Sequence, residues 1–164
     1  MTSEAELAFV DQVGRHFARQ YSLPPVTGRV AGWLLICEPP EQTAAEIAEA
    51  IHTSRSAVGT AIGMLEGFGF VRRSRVPGER ADRVSMSPEA GAQGLESPGE
   101  YAAMTALGRH GLEVLRDAPP ERRARLLELV AFYDWLGTRM AELAAEWRAH
   151  RDALRASGDL PDPS

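Results

Sequence analysis

A mainly helical fold carrying a two-stranded wing is what this sequence predicts, and three observations predict it. Two helix-forming runs, Thr43 to Ile51 and Ser54 to Gly67, are separated only by His52 and Thr53. The second run leads directly into "FVRRS" and "DRVSM", two strand-like runs on either side of the turn-forming "VPGERA". Further on, Leu126, Tyr133, Met140, Trp147 and Leu154 recur every seven residues, with Leu129, Leu136 and Leu143 three residues after the first three, an a/d seam of about four heptads. Together these describe a winged helix-turn-helix with long helical segments outside it.

The elements follow in order. Glu4 to Gln20 places Leu7, Val10, Val13 and Phe17 on one face and charges on the other, an amphipathic helix that Pro24 and Pro25 interrupt. "VTGRVAGWLLIC", Val26 to Cys37, reads as a mostly buried helix closed by Pro39 and Pro40. Thr43 followed three residues later by Glu46 is a capping-box pattern, opening a short helix with Ile47, Ala48 and Ile51 inward. Ser54 is placed to cap the next helix, in which Val58, Ile62 and Leu65 point at the core, and Gly69 suits a left-handed residue just past its end. "SPEAGAQGLESPG" is a linker by composition. A helix restarts near Gly99 or Glu100 and stops at "APPE", where the long seam-bearing helix begins. The expected organisation is an N-terminal helix over 1–22, the winged unit over 23–88, a linker over 89–99, C-terminal helices over 100–156 and a polar tail over 157–164.

With 164 residues and 44% hydrophobic content the chain supports one domain with a real core, or a small domain plus an oligomerisation element. The longest apolar run, Val30 to Cys37, is too short to span a bilayer, and the first seven residues are acidic, so a cytoplasmic protein without membrane partners is expected. Cys37 is the only cysteine, which excludes an intrachain disulfide. The charge is unevenly spread: residues 1–52 carry −4, residues 88–164 carry −4, and residues 53–87 carry +3, from six arginines against Glu66, Glu79 and Asp82. An acidic protein thus has one basic island, and it coincides with the second helix and the wing.

That coincidence points to double-stranded DNA. In a helix-turn-helix the second helix enters the major groove while a wing reaches flanking backbone or minor groove. With Val58 inward, Ser56, Gly59, Thr60, Gly63 and Gly67 project outward and Arg55 lies at the edge. Each interior glycine costs about 1 kcal/mol against alanine, so Gly59 and Gly63 are expected to allow the backbone close to the DNA. Ser54, Arg55, Ser56, Gly59, Thr60, Arg75, Arg80 and Arg83 are the candidate DNA-binding residues, with Arg80 at the wing tip and Arg83 also able to pair with Glu79 or Asp82. Catalysis and metal binding find no support. His16, His52, His110 and His150 are scattered without ligand spacing, no nucleophile elbow or phosphate-binding loop occurs, and no cofactor is expected.

From Pro24 to Met86, in "LPPVTGRVAGWLLICEPPEQTAAEIAEAI", "SRSAVGTAIGMLEGFGFV" and "VPGERADRV", the chain resembles MarR-type winged-helix regulators, specifically their GbsR-like branch, and "LLELVAFYDWLGTRMAELAAEWRAHRD" resembles that branch's C-terminal helix. Gly78 stands where the wider family's wing has Asp in an Asp-x-Arg pattern. The resemblance implies a homodimeric DNA-binding regulator, often a repressor, with dimer helices from both termini. Leu126, Leu129, Tyr133, Leu136, Met140, Leu143 and Trp147 are the dimerisation residues expected from the seam, the alternative being packing within the chain against the first helix and the Tyr101 helix. The resemblance further implies a small organic effector, with choline as the branch's signal in its control of glycine-betaine synthesis. Trp33, Tyr101, Tyr133 and Trp135 are the aromatic residues that could cage such a cation. The rival reading is a winged-helix protein-interaction adaptor that does not bind DNA.

Overall fold

The computed structural model describes residues 2–92 and 98–161. Its described residues form nine elements: α1 (Glu4–Tyr21), α2 (Pro25–Leu34), β1 (Gln42–Thr43), α3 (Ala44–Ala50), α4 (Arg55–Gly67), β2 (Val71–Ser74), β3 (Arg83–Met86), α5 (Pro98–Val114) and α6 (Pro120–Ser157). They separate into two compact units, Met1–Gly91 and Ala92–Ser164.

The first unit is built around Val10, Val30, Ile47, Ile51, Val58, Ile62, Leu65 and Val84, all with at most 1% exposure. The apolar positions of each helix recur at helical spacing, so α1 to α4 each turn one stripe toward this cluster. Two capping boxes start the helices cleanly. Ser3 Oγ accepts from Glu6 N while Glu6 accepts from Ser3 N, and Thr43 and Glu46 do the same at α3. Trp33 in α2 is buried, and its indole N–H donates to Gln42 Oε1 at 2.8 Å, which joins α2 to β1.

Two details differ from the sequence expectation. Helix α2 ends at Leu34 and not at Cys37, because the amides of Leu35, Ile36 and Cys37 fold back onto the carbonyls of Ala31 and Trp33 before the Pro39-Pro40 pair. The sheet has three strands and not two, in the order β1-β3-β2, with Gln42 opposite Val84 and Thr43 opposite Arg83. Residues 93–97 of the expected linker and 162–164 of the expected tail lie outside the described residues.

The second unit is an antiparallel helix hairpin. Gly111 lies against Leu126, Gly108 against Leu129 and Val130, and Gly137 against Tyr101, while Arg109 and Asp134 pair at 2.8 Å. Leu126 and Leu129 therefore serve contacts within the chain. With 38 residues against 17, α6 outruns α5. Gly158, at φ 81, closes it, its amide donating to the Arg155 carbonyl.

Candidate nucleic-acid interface

Helix α4 is positioned from both ends. Ser54 Oγ accepts from Ala57 N at 3.2 Å, so this candidate DNA-binding hydroxyl is also the N-cap. At the other end Gly69, at φ 72, lets the Phe70 amide reach the Leu65 carbonyl at 2.9 Å. Between them Val58, Ala61, Ile62 and Leu65 are buried. Arg55, Ser56, Gly59, Thr60, Gly63 and Gly67 are exposed. A Cβ added at Gly59, Gly63 or Gly67 would meet nothing within 4 Å. The glycines thus face open space rather than a neighbouring element of this chain. Thr60 Oγ1 donates to the Ser56 carbonyl at 3.1 Å, which leaves its lone pairs outward.

The helix before it is fixed by the turn. His52 takes φ 50, and the Thr53 amide donates to Ala48 O at 2.9 Å. The Arg29 guanidinium holds the Ile51 carbonyl from α2 at 2.8 Å. The α3 to α4 angle is therefore tied to α2 as well as to the core.

The wing is an antiparallel ladder from Val71↔Met86 to Ser74↔Arg83. Its connection turns at Val76-Pro77-Gly78-Glu79, where Gly78 has φ 92 and the Glu79 amide donates to the Val76 carbonyl at 3.1 Å. Pro then Gly at the two central positions is what a type II turn needs. The island's six arginines divide by partner. Arg73 donates to Glu66 at 2.9 Å, Arg72 to the Ser85 hydroxyl at 3.3 Å, and Arg75 lies 3.9 Å from Asp82 with its side chain 76% exposed. Arg83 is engaged internally: it forks onto both Glu79 oxygens at 2.9 and 3.0 Å, and Glu79 holds the guanidinium's pKa above its ordinary value. Among the described residues, Arg55 and Arg80 are exposed and pair with nothing. Arg80 follows the four turn residues directly, and the Arg73–Glu66 pair joins two elements, so no local pattern announces it.

The aromatic residues offered as a cage are divided between the two units: Trp33 is in the first, and Tyr101, Tyr133 and Trp135 are in the second. The Trp33 N–H is committed to Gln42. In the second unit Tyr133 and Trp135 are two residues apart on α6 and leave it about 200° apart. Tyr133 is half-buried, while Trp135 is 57% exposed beside Phe132. A cleft of about 440 Å³ does lie beside Trp33 in the first unit, bordered by Glu6, Ile36, Glu38, Glu46, Glu49 and His52. Within it, Glu6 and Glu46 are held below the ordinary carboxylate range by the capping hydrogen bonds from Ser3 and Thr43. The Cys37 thiol is buried, and burial pushes its pKa up. Among the described residues no group of His, Cys, Asp and Glu could hold a metal, and no helix is long and apolar enough to cross a membrane.

Comparison with known proteins agrees with this geometry. The model described as "MarR family" matches residues 34–80, spanning the helix-turn-helix and the wing turn. A second, described as "MmpR5-like MarR family transcriptional regulator", matches residues 90–150. The HTH-type transcriptional regulator MmpR5 of Mycobacterium tuberculosis (strain ATCC 25618 / H37Rv) is 39% identical over 124 residues, covering 75% of this chain and 74% of that protein. A solved structure described as "Crystal Structure of a transcriptional regulator" is 32% identical and has a TM-score of 0.77, with 88% of this chain and 99% of that one covered. An outward α4 with an open small-residue face, an arginine-bearing wing and these relatives lead to one conclusion: the chain belongs to the MarR family of DNA-binding transcriptional regulators and is not an enzyme.

Proposed function

We propose that the protein acts as a homodimeric repressor on a pseudo-palindromic operator, released by a small organic effector. The observation that carries this reading is the outer face of α4, where Gly59, Gly63 and Gly67 meet no neighbour and Arg55, Ser56 and Thr60 stand exposed. A helix backbone so bare can approach base edges, and Arg55 at its first turn is suited to bidentate hydrogen bonds with guanine. Arg80 and Arg75 on the wing supply phosphate neutralisation. The two copies meet through the terminal segments, with Met140, Leu143 and Trp147 beyond the α5–α6 contact as the principal seam residues. The effector is sought at the cleft beside Trp33, where Glu6, Glu38, Glu46 and Glu49 favour a cation such as choline.

Selection of bound sequences from random duplex DNA tests the reading. Two half-sites about 10 bp apart, centre to centre, are expected, with affinity falling steeply as salt rises. Protein that prefers no duplex at low salt would be the adaptor and not the regulator. Titration with choline and glycine betaine, followed by tryptophan emission and operator release, tests the effector. No response in either signal up to millimolar ligand removes that class.

A further inference from the structure

By Coulomb's law alone, removing a carboxylate from a DNA-facing basic segment strengthens its binding to a polyanion. Glu79 is such a carboxylate, between Gly78 and Arg80 in the wing connection. Its surroundings give it another use. Both of its oxygens take the Arg83 fork, Nε at 3.0 Å and Nη2 at 2.9 Å. Arg83 stands in the middle of the sheet's end row, opposite Thr43 on β1 and Ser74 on β2. Its Nη1 donates to the Glu41 carbonyl at 3.2 Å and lies 3.9 Å from the Glu46 carboxylate in the first turn of α3. One guanidinium, only 24% exposed, therefore ties the wing turn to β1 and to the first helix of the helix-turn-helix. Arg80, next in the chain to the tethered Glu79, is exposed and has no partner of its own among the described residues.

We propose that Glu79 and Arg83 are positioning residues for Arg80: their fork holds the wing connection against the sheet, so that the Arg80 guanidinium is presented to the DNA from a backbone already ordered. A connection ordered before binding avoids part of the entropy cost at binding. The fork also needs arginine. Lysine keeps the charge at 83 but cannot hold both Glu79 oxygens in one plane. The proposal rests on the reading that Arg80 meets the DNA, and its test separates the two.

The full-length protein is titrated by fluorescence anisotropy onto a labelled duplex recovered by the selection above, at several salt concentrations. The variants are Glu79→Gln, Arg83→Lys and Arg80→Ala, together with Glu79→Gln and Arg83→Lys each combined with Arg80→Ala. Glu79→Gln is expected to weaken binding by roughly 2- to 10-fold, the change that corresponds to immobilising one long side chain, although it removes a negative charge. Arg83→Lys should weaken it in the same range without changing the charge. In the Arg80→Ala background both effects should vanish, and the salt slope of each single variant should move toward that of Arg80→Ala. Tighter or unchanged binding by Glu79→Gln overturns the proposal in favour of simple charge. An equal loss in both backgrounds overturns it in favour of a general structural role. Arg80→Ala binding like the wild type, with an unchanged salt slope, overturns it by the separate route of removing its premise.

Discussion

Gly28 of α2 lies so close to Gly14 of α1 that a Cβ on Gly28 would stand 2.9 Å from the Gly14 Cα and 2.8 Å from the Val13 carbonyl oxygen. A Cβ on Gly14 would in turn stand 2.9 Å from the Pro25 carbonyl oxygen. The obstacles include backbone, which cannot rotate away as a side-chain tip can. Gly28→Ala is therefore expected to destabilise the first unit by about 1 to 3 kcal/mol, as overpacking does. Urea unfolding measures this, and an unchanged midpoint would mean that the two helices have room to separate.

The same substitution on α4 should act with the opposite sign. Gly59 and Gly63 are exposed, interior to the helix and without neighbours within 4 Å, so alanine there gains up to about 1 kcal/mol of helix propensity per site. If the backbone approaches DNA through these positions, the added methyl groups weaken operator binding while the protein becomes more stable. Paired unfolding and anisotropy measurements check this. Gly63→Ala protein that is stabilised and binds as tightly as before would show that α4 does not make the close approach.

The Thr43–Glu46 capping box predicts a pH dependence. Glu46 accepts from the Thr43 amide at 2.7 Å, and this bond, the Thr43 hydroxyl and the Arg83 charge hold its pKa below the ordinary value. A group depressed in the folded state contributes its full stability above the unfolded pKa and loses it as pH falls through the lower folded value. The difference in urea midpoint between wild type and Glu46→Ala should accordingly be largest near neutrality and shrink below about pH 4. A difference that grows on acidification would contradict the assignment.

The seam of α6 divides into two stretches with separate expected phenotypes. Leu126 touches Gly111 on α5, whereas Leu143 is 46% exposed and belongs to the part of α6 that outruns its partner. Leu126→Glu places a charge inside the helix hairpin and should lower its helicity and melting temperature. Leu143→Glu should leave a folded chain and shift sedimentation from dimer to monomer. A folded dimer from Leu143→Glu would move the interface elsewhere.

Much of the winged unit is legible in the sequence because its determinants are local. Thr43 with Glu46, Ser54 before an apolar run and Gly69 after one each fix a helix end through neighbours within a few residues. The Pro77-Gly78 pair does the same for the wing turn. Strand β1 is not legible: its two residues carry no periodicity and become a strand only because Val84 and Arg83 pair with them from forty residues away. The apolar stripe on α6 is legible as a stripe, but periodicity does not say which surface covers it, and at Leu126 and Leu129 the cover is α5. Nearness in sequence is likewise no guide to a shared face. Tyr133 and Trp135 are near in sequence, yet helical geometry already sends them to different faces.

The burial of Trp33 against Gln42 also gives the protein a built-in optical label. An indole that is 7% exposed and donates its N–H to an amide oxygen is held in one largely buried setting, whereas Trp135 is 57% exposed. Trp147, with Trp135, belongs to the other compact unit. A chain with phenylalanine at 135 and 147 would carry a single fluorophore at the junction of α2 and β1, the strand that pairs directly with the wing. Its emission would then report that junction and the cleft beside it, through unfolding, effector addition and contact with an operator.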